Sequence, residues 1–264
     1  MTDLTSGRRT SSLAARLCGL TPARVALGRT GASLTTEEVL RFQLAHAEAR
    51  DAVHVPLDSE ALAAGIRALG CDVVRVATPA TRREVYLRRP DLGRRLEAES
   101  AACLDKLRGD GLDIAIVVAD GLSSRAIAGN AVPLLSRLVA RFADGGLRLA
   151  RVVVAEGARV ALGDEIAERL GARLVLVLIG ERPGLSSPDS LGAYLTYAPR
   201  RGMTDADRNC VSNIRAGGLD PEAASSKLAW LIRKALAAGI SGVQLKDESE
   251  AGGPPPLTLG GPAP

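Results

Sequence analysis

The chain has 264 residues, enough to bury a sizeable core, and 46% of them are hydrophobic, which fits a soluble globular protein. No uninterrupted apolar run reaches the roughly 20 residues a membrane helix needs. The N-terminal SLAARLCGL is short and carries Arg16, so an intracellular protein without a secretory signal is expected. The formal net charge of +4 lies wholly in residues 1–31, where Arg8, Arg9, Arg16, Arg24 and Arg29 face Asp3 alone. The rest of the chain is balanced. With aromatic residues at 2%, base-stacking platforms are scarce, and no nucleic-acid partner is expected.

Residues 1–22 read as a flexible or weakly helical basic arm, and residues 23–110 as an N-terminal helical region. Within it, TEEVLRFQLAHAEARDAV from Thr36 places Val39, Phe42 and Ala45 on one stripe. DSEALAAGIRAL over 58–69 predicts a second helix stopped by Gly70. A third is expected from about Arg94 to Arg108, after a polar turn at Pro90 to Gly93. From residue 111 the pattern changes. LDIAIVVAD is a short β-branched run of the kind found in buried parallel strands, and it ends at Asp120 and Gly121. A helix follows, with Pro133 dividing it or starting its second part. LARVVVAEG predicts a second strand, GDEIAERLG a short helix, RLVLVLIG a third strand and GAYLTYAP a fourth. Leu228, Leu231, Ile232 and Ala235 form an amphipathic helix with Gly239 as its stop. The expected fold is α/β: a mostly parallel sheet flanked by helices over residues 111–247, preceded by the helical region, with ligands beyond the strand carboxyl ends. Residues 248–264 read as a disordered Pro/Gly tail.

Most chemical motifs are missing. Cys18, Cys71, Cys103 and Cys210 are scattered, so no zinc site is expected. There is no GxGxxG and no GxxxxGK[ST], and GLSSR and GLSSP both fail the G-x-S-x-G elbow. His46 and His54 lie in the helical region, away in sequence from the crevice, and read as ordinary polar residues. Ser123 reads as a helix cap. Asp120 reads equally as a turn residue or as an acceptor in the ligand crevice. The loop after RLVLVLIG is stiffened by Pro183 and Pro188 and given tight-turn freedom by Gly184. Its Glu181 follows the strand directly. One reading is a structural crossover with Glu181 paired to Arg182 or another arginine. The other is an acceptor for a large, amide-rich, mostly apolar ligand.

IGERPGLSSPDSLGAYLTYAPR, with VADGLSSRAI, YLRRPDLGRR and RNCVSNIR, resembles the small, light subunit of ethanolamine ammonia-lyase, from about TPARVALGRTG at residue 21 through GVQLKD at residue 242. The resemblance implies an adenosylcobalamin-dependent lyase turning ethanolamine into acetaldehyde and ammonia by radical chemistry. It implies a separate large TIM-barrel subunit that binds ethanolamine, and a small subunit whose α/β domain closes over part of the cobalamin. Carried over residue by residue, the cofactor contacts are Val160 in GARVALGDE, Glu181 in GERPGL and Cys210 in RNCVSNIR. Val160 suits apolar contact with the corrin, Glu181 accepts from corrin amide N–H groups, and Cys210 is a small polarisable neighbour. On residue type alone, Val160 and Cys210 read as core packing. The resemblance assigns no catalytic residue to this chain. Cobalt is held by the cofactor: His54 follows Asp51 by three residues instead of two and lacks the glycine of the D-x-H-x-x-G motif, and His46 has no such acid. The implied setting is the bacterial cytoplasm or a bacterial microcompartment. The rival readings are a non-catalytic cobalamin-binding or scaffold protein and a stand-alone α/β cofactor-dependent enzyme.

Overall fold

The structure, a computed structural model, describes residues 12–21, 23–25 and 27–249; the first eleven residues of the expected arm, and the expected tail from residue 250, lie outside the described residues. The N-terminal elements are α1 (Ser12–Leu20), β1 (Arg29–Thr30), β2 (Ser33–Leu34), α2 (Thr36–His54), α3 (Ser59–Arg67), β3 (Val73–Ala77), α4 (Arg83–Arg88) and α5 (Ala98–Asp105). They are followed by β4 (Leu112–Ala119), α6 (Ser124–Asp144), β5 (Val152–Glu156), α7 (Leu162–Leu170), β6 (Ala172–Gly180), β7 (Leu191–Tyr197), β8 (Arg208–Ile214) and α8 (Pro221–Ala238).

β1 and β2 form a small antiparallel pair, and the other strands form one six-stranded sheet in the order β3-β5-β4-β6-β7-β8. β3, β5, β4 and β6 run parallel, while β7 and β8 return antiparallel. β4 and β6 are apolar almost without break because helices cover both of their faces. Ile114, Ile116, Val118, Leu174, Leu176 and Leu178 point toward α3, α6 and α8. Ala115, Val117, Val175, Val177 and Ile179 point toward α5 and α7. No helix among the described residues is long and apolar enough to cross a membrane.

Four features depart from the sequence expectations. The segment expected to be helical contributes the edge strand β3, in which Arg75 interrupts the apolar run and pairs with Glu60 at 3.1 Å. β8 is a further strand, with polar residues exposed between buried Arg208, Val211 and Ile214. Pro133 does not divide its helix: α6 runs unbroken through it. The carbonyl that loses its helical N–H belongs to Gly129, which is exposed, so water can replace the missing donor. The third N-terminal helix is also shorter than expected, because Leu92–Arg94 form a 3-10 turn and Arg95 is extended before α5 begins.

A buried ion pair fastens the sheet's antiparallel edge to the helical layer. Arg208 on β8 makes a two-pronged contact with Asp164 in the first turn of α7, at 2.6 and 2.7 Å, and also donates to Thr196 Oγ1 and the Met203 carbonyl. Both side chains are 2% exposed. Such a pair adds little beyond a well-packed apolar contact, yet loss of one member strands a charge. Asp164→Ala is expected to lower stability by about 3–5 kcal/mol in urea unfolding. A loss within 1 kcal/mol, on the order of a surface change, would show that water reaches Arg208.

Candidate functional site

The carboxyl ends of β4, β5 and β6 open into a crevice of about 390 Å³, lined by Tyr86, Leu122, Arg159, Val160, Ile179 and Glu181, among others. Its floor is set by two turns in backbone contact. Leu122 N–H donates to the Gly180 carbonyl at 2.8 Å. A Cβ on Gly121, which has φ +58°, would lie 2.3 Å from that oxygen, and one on Gly180 would lie 2.0 Å from the Ser123 carbonyl. Only glycine fits at either position. Ser123 caps α6 through the Ala126 N–H and donates its hydroxyl to the Pro188 carbonyl, which ties the loop after β6 to the loop after β4.

Asp120 resolves in favour of structure. Its Oδ1 accepts from Gly121 N–H at 2.9 Å and Ala158 N–H at 3.2 Å, and its Oδ2 faces Arg83 at 3.4 Å. Burial pushes its carboxyl up, and the Ala158 N–H and Arg83 oppose that shift. Asp120 therefore clasps the ends of β4 and β5 together.

Tyr86, on α4, projects into this junction. Its hydroxyl donates to the Ala158 carbonyl at 3.1 Å. Two guanidiniums rest on its ring, Arg159 at 4.1 Å and Arg83 at 4.8 Å from the centroid. Arg83 also donates to the Gly121 and Val53 carbonyls, so the end of α2 is fastened to the crevice floor. Burial, more than the arginines can offset, pushes the Tyr86 phenol up to about 12.

Glu181 is held for acceptance. Its Oε2 takes the Ser190 hydroxyl and the Asn213 N–H, and Asn213 sits in the left-handed region with φ 58°. Gly192 leaves room for it: a Cβ there would lie 2.9 Å from Oε1. No protein donor reaches Oε1 and no arginine pairs with Glu181 among the described residues. Tyr194 closes the crevice on the β7 side, directly across the sheet register from Cys210 on β8. Burial pushes both the Tyr194 phenol and the Cys210 thiol up, although Cys210 itself is exposed at the sheet edge.

Val160 and Glu181 thus line one crevice, and Cys210 stands beside its Tyr194 wall. His46 stacks on Phe42 and His54 ends α2; neither lines the crevice. Sequence reasoning missed Tyr86, Arg159, Ser190 and Asn213, which come from separate elements and share no spacing. The nearest signal was the arginine preceding Val160 in the GARVALGDE block.

The family model described as ethanolamine ammonia-lyase light chain matches residues 12–246. The ethanolamine ammonia-lyase small subunit of Rhodopseudomonas palustris (strain BisA53) is 56% identical over 230 residues, covering 87% of this chain and 88% of its own length. That of Azotobacter vinelandii is 54% identical over 237 residues, covering 88% and 87%. That of Xanthomonas campestris pv. campestris (strain ATCC 33913) is 54% identical over 239 residues, covering 89% and 88%.

The Tyr86 phenol gives a pH test of this geometry. Its folded value of about 12 lies above the usual 10, so its contribution to stability is full below pH 10 and is lost as pH rises through 12. Wild type is expected to exceed Tyr86→Phe by about 0.5–1.5 kcal/mol below pH 10 in denaturant unfolding. The gap should close toward pH 12. A gap that stays constant over that range would mean that the phenol is not buried.

Proposed function

The chain belongs to the ethanolamine ammonia-lyase light chain family and is a lyase subunit, and from that premise we propose that it completes a cobalamin site shared with a large TIM-barrel subunit. The substrate is ethanolamine, held by the large subunit and deaminated to acetaldehyde and ammonia. The single observation that carries this reading is a crevice that joins a held acceptor to an apolar patch and has no activated nucleophile among its lining residues.

The residues fit a corrinoid in kind. Glu181 offers a free carboxylate oxygen to amide N–H groups, and Val160, Ile179 and Leu122 offer apolar contact. Arg159 keeps a buried Nε without a partner, a donor for a ligand acceptor. Bound adenosylcobalamin supplies the cobalt–carbon bond from which radical chemistry starts, with cobalt carried by the cofactor and no ligand from this chain. This chain's residues bind and orient. Glu181 accepts from a corrin amide, Val160 packs on the ring, and Cys210 flanks it from β8. Clefts that bury a drug-sized ligand hold roughly 300–1,000 Å³. At about 390 Å³ this one covers only part of a corrin, so a second subunit must exclude water from the rest. The complex works in the bacterial cytoplasm or within a bacterial microcompartment.

Mixing the purified chain with a matching large subunit tests the reading. Acetaldehyde release and tight cobalamin retention are expected only from the mixture, and full turnover by this chain alone would overturn it. In the reconstituted complex, Glu181→Ala is expected to weaken cobalamin binding by roughly 1.5–3 kcal/mol, and Glu181→Gln by less because its amide oxygen still accepts. Unchanged affinity in the alanine variant would return Glu181 to a structural role.

A further inference from the structure

Among the described residues, no ion pair neutralises the charge of Arg159. Its terminal nitrogen donates to the Tyr86 carbonyl at 3.1 Å and its guanidinium rests on the Tyr86 ring. Its Nε is buried without a partner. No carboxylate among the described residues forms an ion pair with it. Of the two nearby acids, Asp120 is engaged by Arg83 and two backbone N–H groups, and Glu181, whose Oε2 takes Ser190 and Asn213, forms no ion pair with Arg159. Arg182, exposed at the same crevice and also without an ion pair among the described residues, adds positive charge.

A half-buried guanidinium is costly unless a counter-charge meets it. The Tyr86 ring offsets only part of that cost. A neutral amide carbonyl would satisfy the orphan N–H and leave the charge. An anion with several oxygens satisfies both, in the geometry for which arginine's planar fork is suited. Cobalamin has one such group, the phosphodiester that links its nucleotide arm to the corrin. Resting on the cobalamin reading above, we propose that Arg159 binds that phosphodiester and so makes this subunit select the complete cofactor over a corrin lacking the arm.

The test titrates cobalamin and cobinamide, which lacks the nucleotide arm, into the reconstituted two-subunit complex, following bound corrinoid by absorbance. Arg159→Gln is expected to weaken cobalamin by about ten- to a hundred-fold, the loss of one charge-assisted contact, and to leave cobinamide unchanged. Arg159→Lys, which keeps the charge and loses the fork, should fall between, and added salt should narrow the difference between wild type and Arg159→Gln. Should Arg159→Gln fail to fold, the lysine variant decides by the same ratio. An equal loss for both corrinoids, or no loss, would overturn the inference and leave Arg159 as a brace for Tyr86. A wild-type complex that binds neither corrinoid would instead sink the cobalamin reading itself.

Discussion

The crevice depends on the approach of Gly121 to Gly180. Two turns, one after β4 and one after β6, meet backbone to backbone, joined by the Leu122 N–H to Gly180 carbonyl bond. Any side chain at either position would force them apart, since contacts under 3 Å leave no room for a Cβ. The consequences spread outward. Asp120 reaches the Ala158 N–H only while its turn is held down, and Ala158 in turn receives the Tyr86 hydroxyl. On the other side Glu181 leaves β6 directly after Gly180 and meets Ser190 and Asn213. One backbone contact therefore sets both the cationic wall and the acceptor wall.

Three proton-bearing groups near that contact share a direction. Tyr86, Tyr194 and Cys210 are all pushed up, in each case chiefly by burial, and so stay uncharged to higher pH than they would in water. Groups placed in this way hold their protons through the physiological range. They supply shape, polarity and fixed hydrogen bonds, and they leave proton transfer to other groups.

The sequence made the interior strands legible and the edges obscure. β4, β5 and β6 read clearly because both of their faces are covered, which forces near-continuous Val, Ile and Leu. β3 hid behind Arg75, and β8 behind alternating polar residues, because an edge strand needs only a few buried positions. Pro133 misled because its cost depends on whether the freed carbonyl meets water, which periodicity does not encode. At the site, the GERPGL block drew attention to Glu181, yet its orientation comes from Ser190 and Asn213, which lie 9 and 32 residues away in the chain. Asp120 read equally as a turn residue or a ligand acceptor, and only the three partners that engage it favour the former. Long-range convergence of this kind leaves no local spacing to read.

The two edge strands also decide what the sheet does with other chains. An open edge presents unpaired N–H and C=O groups to any passing strand. Here β3 carries Arg75 at its middle, held beside Glu60, and β8 is interrupted by a register irregularity opposite Leu191/Ala193 and by Asn213 in the left-handed region. A charge in mid-strand and a twisted, irregular border are both poor templates for strand addition. The sheet therefore ends at six strands without a closing barrel. Both borders of the sheet thus discourage the addition of a further strand.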